Sequence, residues 1–278
     1  MTISISAART TQLSGQTNNP FFAWDNLAKG AGVTYGGIAT LADGAAVNAF
    51  TDMTTEYWRP NITATTAGFW VIFPAAVEIQ FAAIAAHNLA TLGGTVVLQY
   101  STNSGSTWAS AGAAAVTPAD NAPIAFRVAS GVSATHWRWW FTGLTAGAPL
   151  YVGAAHMGTE LVMPSRFYAD FAPPIVPSEV ALQANITDGG QFAGTSVIAK
   201  GTTMTAPFQH LTPAFVRGTF KPFMSAWNAG GLAFFAWRPA TFPDDVRLVR
   251  REGDAIRPQN MGVLDFMAAT VSMRAHEA

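Results

Sequence analysis

Apolar and polar positions alternate with period two along much of this chain, which predicts β-strands from end to end. Ile79, Phe81 and Ala83 alternate with Gln80 and Ala82. Trp137, Trp139 and Phe141 alternate with His136, Arg138 and Trp140. Val271, Met273 and Ala275 alternate with Thr270, Ser272 and Arg274. Each stretch gives one face to a core and the other to solvent or a neighbour. Gly, Pro, Asn and Asp punctuate the runs as turns. Few windows hold a 3.6-residue period; Phe21 to Lys29, stopped by Gly30, reads as one short helix.

The pattern breaks between 161 and 177, where Pro164, Pro173, Pro174 and Pro177 crowd fifteen residues. Such a stretch is stiff and extended and cannot join a central strand. The chain is therefore expected to hold an N-terminal arm (1–14), a first domain (15–160), a linker (161–177) and a second domain (178–278). The arm is expected to be ordered only by a partner. Gly68 to Ala90 is the most apolar stretch, but Pro74, Glu78, Gln80 and His87 interrupt it, so it predicts strands and not a membrane span.

Composition adds a constraint. Of 278 residues, 50% are apolar and only 11% charged, with a net charge of −1. A surface with so little charge is poorly protected against association, so the chain is expected to bury surface against partners as an obligate oligomer. Three Lys stand against twelve Arg, and Arg247, Arg250, Arg251 and Arg257 interleave with Asp244, Asp245, Glu252 and Asp254. Mixed signs at that density suit a salt-bridged surface and not a phosphate groove, so no nucleic-acid partner is expected. Cys is absent, which excludes disulfides and thiolate chemistry. Residues 1–10 lack a basic segment followed by an apolar one, so no signal peptide is expected.

Enzymatic motifs are missing. No Gly precedes Lys, and there is no His-Glu-x-x-His, Gly-x-Ser-x-Gly or calcium loop. The five His are scattered, and no carboxylate pair declares itself. No catalysis, metal or cofactor is expected.

Several segments resemble the galactose-binding-like jelly roll of the discoidin and coagulation-factor C-type family. Val47 to Trp58 contains Asp52, Thr55 and Trp58 in that family's order, with Met53 where Gly is usual. Ser101-Thr-Asn-Ser-Gly-Ser-Thr-Trp108 resembles its Ser-x-Asp-Gly-x-x-Trp hairpin, with Gly105 taking positive φ. The family's bridging cysteines are missing. The second half, through Phe234-Phe-Ala-Trp-Arg-Pro239 and Asn260 to Arg274, resembles bacteriophage distal-tail and tail-tube-like proteins. There a final amphipathic strand closes a β-barrel that packs into a ring.

Together these resemblances imply an all-β chain: a jelly-roll sandwich plus a tail-tube-like barrel or sheet. They imply a structural virion protein made in the host cytoplasm, a distal-tail or baseplate subunit in a homo-oligomeric ring. Its partners would be other tail proteins and a host glycan. The alternative is a carbohydrate-binding module from outside any phage. Sugar rings stack on aromatics, while polar side chains bond their hydroxyls. In this family ligand loops gather at one end of the sandwich, here near 52–59, 87–93 and 142–149. The candidates are Asp52, Tyr57, Trp58, Arg59, His87 and Asn88, although Trp58 also suits a core plug and His87-Asn88 a strand corner. Arg138, Trp140, Thr270, Ser272 and Arg274 are candidates for a subunit interface.

Overall fold

The computed structural model describes residues 2–167, 170–175, 179–262 and 265–277. They form two compact units. The first comprises 1–166 with 232–248, and the second 167–231 with 249–277. The expected second domain is therefore not continuous, because residues 232–248 return to the first unit.

The first unit is a jelly-roll sandwich, antiparallel except at β1. One sheet has the order β3 (Thr34–Gly37), β4 (Ala67–Glu78), β9 (Ser133–Thr142), β6 (Thr95–Ser101), β7 (Ala109–Ser110). The other runs β1 (Ile3–Ile5), β8 (Ile124–Arg127), β5 (Phe81–His87), β10 (Val152–Val162), β2 (Phe21–Asn26), β13 (Leu232–Ala236). The predicted alternation in β9 holds: Trp137, Trp139 and Phe141 are buried and their neighbours half-exposed. They meet Phe69 and Val71 of β4 and, from the facing sheet, Ile84, Phe126 and Met157.

The second sheet is buried on both sides. Every residue of β5 is inside, which explains its nearly unbroken apolar run, Phe81-Ala-Ala-Ile-Ala-Ala. On the sheet's other face Ile3, Phe21, Phe81 and Ala154 form one buried cluster with Phe234 and Ala236 of β13, in the same sheet, and with Val246 and Leu248.

Two expectations fail here. Phe21–Asn26 is a strand followed by a single 3-10 turn at Leu27–Lys29. Pairing with both β10 and β13 gives it a buried ladder on each side, which overrides any local helical tendency. Residues 2–13 are also no free arm. β1 pairs in parallel with β8, Ile3 is buried, and Ser6 caps the helix Ala7–Gln12 by accepting from the Arg9 backbone N–H.

In the second unit, β12 (Phe192–Leu211) is one long strand. Its first half pairs with β11 (Glu179–Ile186) and its second half with β16 (Met267–Ala275). β16 also pairs with residues 249–251 of β14 (Arg247–Arg251) and with β15 (Gln259–Asn260). The sheet stays open, contrary to the barrel that the tail-protein resemblance implies: among the described strands, β12 is the sole neighbour of β11. The helix Lys221–Asn228 buries Phe223 and Trp227, and its Asn228 bonds Arg251 and Ile256.

The β11–β12 hairpin is amphipathic. Leu182 pairs with Val197, Ala184 with Thr195 and Ile186 with Phe192, all on one face. Gln183 with Ser196 and Asn185 with Gly194 occupy the other. Leu182, Ile186 and Val197 are more than half exposed, and Phe192 is 82% exposed.

Candidate functional site

At one end of the sandwich the turns after β5 and β9 meet the long β3–β4 connection. They enclose a shallow cleft of about 280 Å³ lined by Leu41, Arg59, Pro60, Asn88, Pro149 and Tyr151, among others. Asn88 assembles it. Its Nδ2 donates to the Pro149 carbonyl at 2.9 Å and its Oδ1 accepts from the Tyr151 backbone N–H at 3.0 Å. The Tyr151 ring lies 4.8 Å from that of Tyr57, which stiffens one wall. Arg59 reaches Asp43 at 2.7 Å, an exposed pair that can open toward hydroxyl groups at little expense. The cleft thus offers an aromatic face, a charged donor with an acceptor beside it, and apolar walls.

The structure brings Arg59 and Asn88 together here, with Tyr57 adjoining through the Tyr151 ring, but not Asp52, Trp58 or His87. Trp58 is fully buried, packed 4.6 Å from Phe69 and 5.6 Å from Phe141. It plugs the core and presents no face to a ligand. His87 is also buried, its Nδ1 accepting the Leu89 backbone N–H at 3.3 Å. Tyr57 is half-buried and touches the Tyr151 ring. Asp52, at φ 66°, faces away to bond Lys29 at 2.6 Å and Nε2 of buried His156 at 3.0 Å. Burial opposes the Asp52 charge, but bonds from His156 and Lys29 and their charges outweigh it and hold the carboxyl at about 2. This trio ties the 51–58 loop down to β10. Sequence reasoning missed Tyr151 and Asp43, since neither lies in a motif; only the fold places them beside Arg59.

Burial pushes His87 down to about 4, with the Ala122 backbone and the Asp120 charge offsetting part of the effect. An unfolded His titrates near 6.5. Between those values the unfolded chain binds the extra proton, so acid favours unfolding. Stability should be fully present above pH 6.5 and fall by about 3 kcal/mol by pH 4. In urea titrations across that range, His87→Gln should remove this slope. An unchanged slope would assign it to other groups.

The predicted interface residues divide. Thr270 and Ser272 line a polar cleft of about 430 Å³ in the second unit, with Asp254, Arg257 and Gln259. Arg274 is engaged within its own chain, 3.3 Å from Glu179. Arg138 and Trp140 lie on the outer face of the five-stranded sheet. Among the described residues, no three His, Asp or Glu side chains stand close enough to share a metal ion.

No protein-family model and no curated protein matches this chain. Solved structures match in part. A Ruminococcus gnavus GH29 fucosidase in complex with fucose is 13% identical, with a TM-score of 0.42 over 49% of this chain. The match spans only 27% of the fucosidase. A CBM32 module of a Clostridium perfringens GH89 protein, in complex with GalNAc-β-1,3-galactose, is 13% identical over 48% of this chain and 99% of its own, with a TM-score of 0.40. A chitosan-binding module of a Paenibacillus chitosanase/glucanase, in complex with chitotriose, is 16% identical over 48% and 99%, with a TM-score of 0.39.

Proposed function

We propose that this chain is a non-catalytic carbohydrate-binding protein that takes a sugar at the loop-end cleft of its jelly roll. The carrying observation is the convergence of Arg59, Asn88 and Tyr151 on one cleft with apolar walls. Tyr151 supplies a ring face for sugar C–H groups, and Arg59 with Asp43 supplies a donor and an acceptor for hydroxyls. The carbohydrate reading, and not the virion reading, draws on this geometry. Calorimetry against a panel of oligosaccharides, chitotriose and GalNAc-β-1,3-galactose included, tests it. At least one should bind, and Tyr151→Ala should weaken it about tenfold, the equivalent of losing one stacking contact. A blank panel, or binding indifferent to Tyr151 and Arg59, would refute the assignment.

One observation favours a second reading, an assembly subunit as in a phage tail. Among the described residues, Leu182, Ile186, Phe192 and Val197 on the apolar face of the β11–β12 hairpin stay more than half exposed, and a bare two-stranded ribbon is only marginally stable in water. Light scattering at micromolar concentration should show an oligomer, and Phe192→Ser with Leu182→Ser should reduce it to a monomer. A monodisperse wild-type monomer would end this reading.

A further inference from the structure

We propose that the outer face of the five-stranded sheet is a second carbohydrate site, shaped for an extended acidic polysaccharide of the uronate type. Strand register sets Gly36, Trp70, Arg138, Gln99 and Ser110 side by side across all five strands. The row beside it holds Gly68, Trp140 and Val97. Trp108, just before β7, joins the same belt, its ring 6.4 Å from that of Trp70.

Side chains on a sheet normally stand up from it, but Trp70 and Trp140 lie down. A Cβ on Gly36 would sit 2.1 Å from Trp70 Nε1, and one on Gly68 2.5 Å from Trp140 Cε3. Glycine at these two positions is what lets each indole fold over the neighbouring strand. Both rings remain partly exposed. The result is a low aromatic floor and not a set of knobs.

Arg138 is set into that floor. Its guanidinium carbon lies 4.1 Å from the Trp108 ring centroid and 4.2 Å from that of Trp140. Its Nε donates to Gln99 Oε1 at 2.8 Å. No carboxylate pairs with it among the described residues, unlike Arg9, Arg59, Arg127 and Arg274. Burial lowers it to about 10, so it remains a cation at neutral pH, partly stripped of water and without a counter-charge. A guanidinium in a fixed plane with open edges suits a carboxylate fork. The flanking indoles suit the C–H faces of the adjoining sugars.

The belt favours a glycan over a second protein. Protein interfaces are also anchored by Trp, Tyr and Arg, but as side chains that enter a partner's pockets, whereas these indoles lie flat on the sheet. None of the strongly exposed large apolar side chains lies on the strands of this sheet; they lie on the β11–β12 hairpin, on loops and on the 3-10 helix Ala46–Phe50. This inference stands whether or not the loop-end cleft binds sugar, because the two sites share no residue.

The test uses the full chain, oligogalacturonate as the acidic probe and a neutral cello-oligosaccharide of equal length as its control. Binding is read by calorimetry and by tryptophan fluorescence. Oligogalacturonate should bind, shift the emission and weaken with added salt; the neutral oligomer should bind less well. Arg138→Gln should weaken the acidic probe at least about tenfold and erase the preference, the expected scale for one charge-assisted contact. Trp140→Ala should weaken both probes, Arg138→Lys should recover part of the loss, and Tyr151→Ala should change neither. Circular dichroism confirms that each variant is folded, and the half-exposed Arg138 makes its variants the safer pair. Absence of acidic-probe binding to the wild type, or unchanged binding by folded Arg138→Gln, would overturn the proposal. So would dissociation of an oligomer by Trp140→Ala, which would make the face a contact between copies.

Discussion

Glu160→Ala should destabilise the jelly roll by about 3–5 kcal/mol, because it strands two buried arginines. The Glu160 and Arg127 side chains are both 0% exposed. Arg127 grips Glu160 through Nε to Oε2 and Nη2 to Oε1, both at 2.7 Å. Arg9 reaches Oε1 from the other side at 2.6 Å. Arg127 also lies 4.4 Å over the Phe21 ring, so it is walled in and cannot swing out to water when its partner goes. An uncompensated buried cation is the expensive outcome; replacing the whole cluster with apolar residues would be far milder. The melting temperature should fall by roughly 6–20 °C, at about 2–4 °C per kcal/mol for a unit of this size. Arg9→Ala leaves the Arg127–Glu160 fork intact and should cost about 1–2 kcal/mol. Calorimetric melting of the three proteins decides it. A Glu160→Ala protein within about 1 kcal/mol of wild type would mean that water reaches the cluster.

Val271→Asp should abolish folding of the second unit. Val271 is 0% exposed and sits in register with Ala206, between Ala269 and Met273, which are also buried. The substitution removes a buried aliphatic group and introduces a carboxyl with no partner, an effect on the order of 4 kcal/mol, comparable to the whole stability of a small domain. Ser272→Asp, one residue on, faces the cleft that Arg257 lines and should change stability by less than about 0.5 kcal/mol. Hydrogen exchange on the wild type supplies the independent check. Amides of 268–275 should be among the slowest in the unit, since β12 pairs along this stretch and β14 and β15 pair with its two ends on the other side. Fast exchange there, or a Val271→Asp protein that melts like the wild type, would sink the claim.

Where one face of a strand is buried, the sequence displayed the fold openly. The alternations at 137–141 and 271–275 predicted their buried faces, and the Ser101–Trp108 turn predicted positive φ at Gly105, observed at 84°. The failures share a cause in long-range pairing. β1 is three residues long, too short to register as periodicity, and is held by a strand some 120 positions away. β2 shows no alternation because Phe21, Phe22 and Ala23, on both of its faces, are all buried. The Arg9–Glu160 contact spans 151 positions, so neither residue stood out locally. Loop clustering was legible only through the family resemblance. That resemblance placed Arg59 and Asn88 at the cleft but could not say that Asp52 turns away to His156. The flat seating of Trp70 was beyond reach, since it depends on which glycine the register sets beside it.

The return of residues 232–248 to the first sheet sets an order of events during synthesis. β13 covers the outer edge of β2, pairing Phe234 with Ala23 and Phe235 with Phe22, and Phe234 also packs edge-on against His156 at 5.3 Å. While the ribosome is still making the intervening segment, the sandwich has an open edge flanked by Phe21 and Phe22, a template for mispairing with another nascent chain. The smallest fragment that can fold as a finished sandwich therefore cannot stop at Arg166. It must carry the later segment through Leu248, or have it spliced on directly by a short linker.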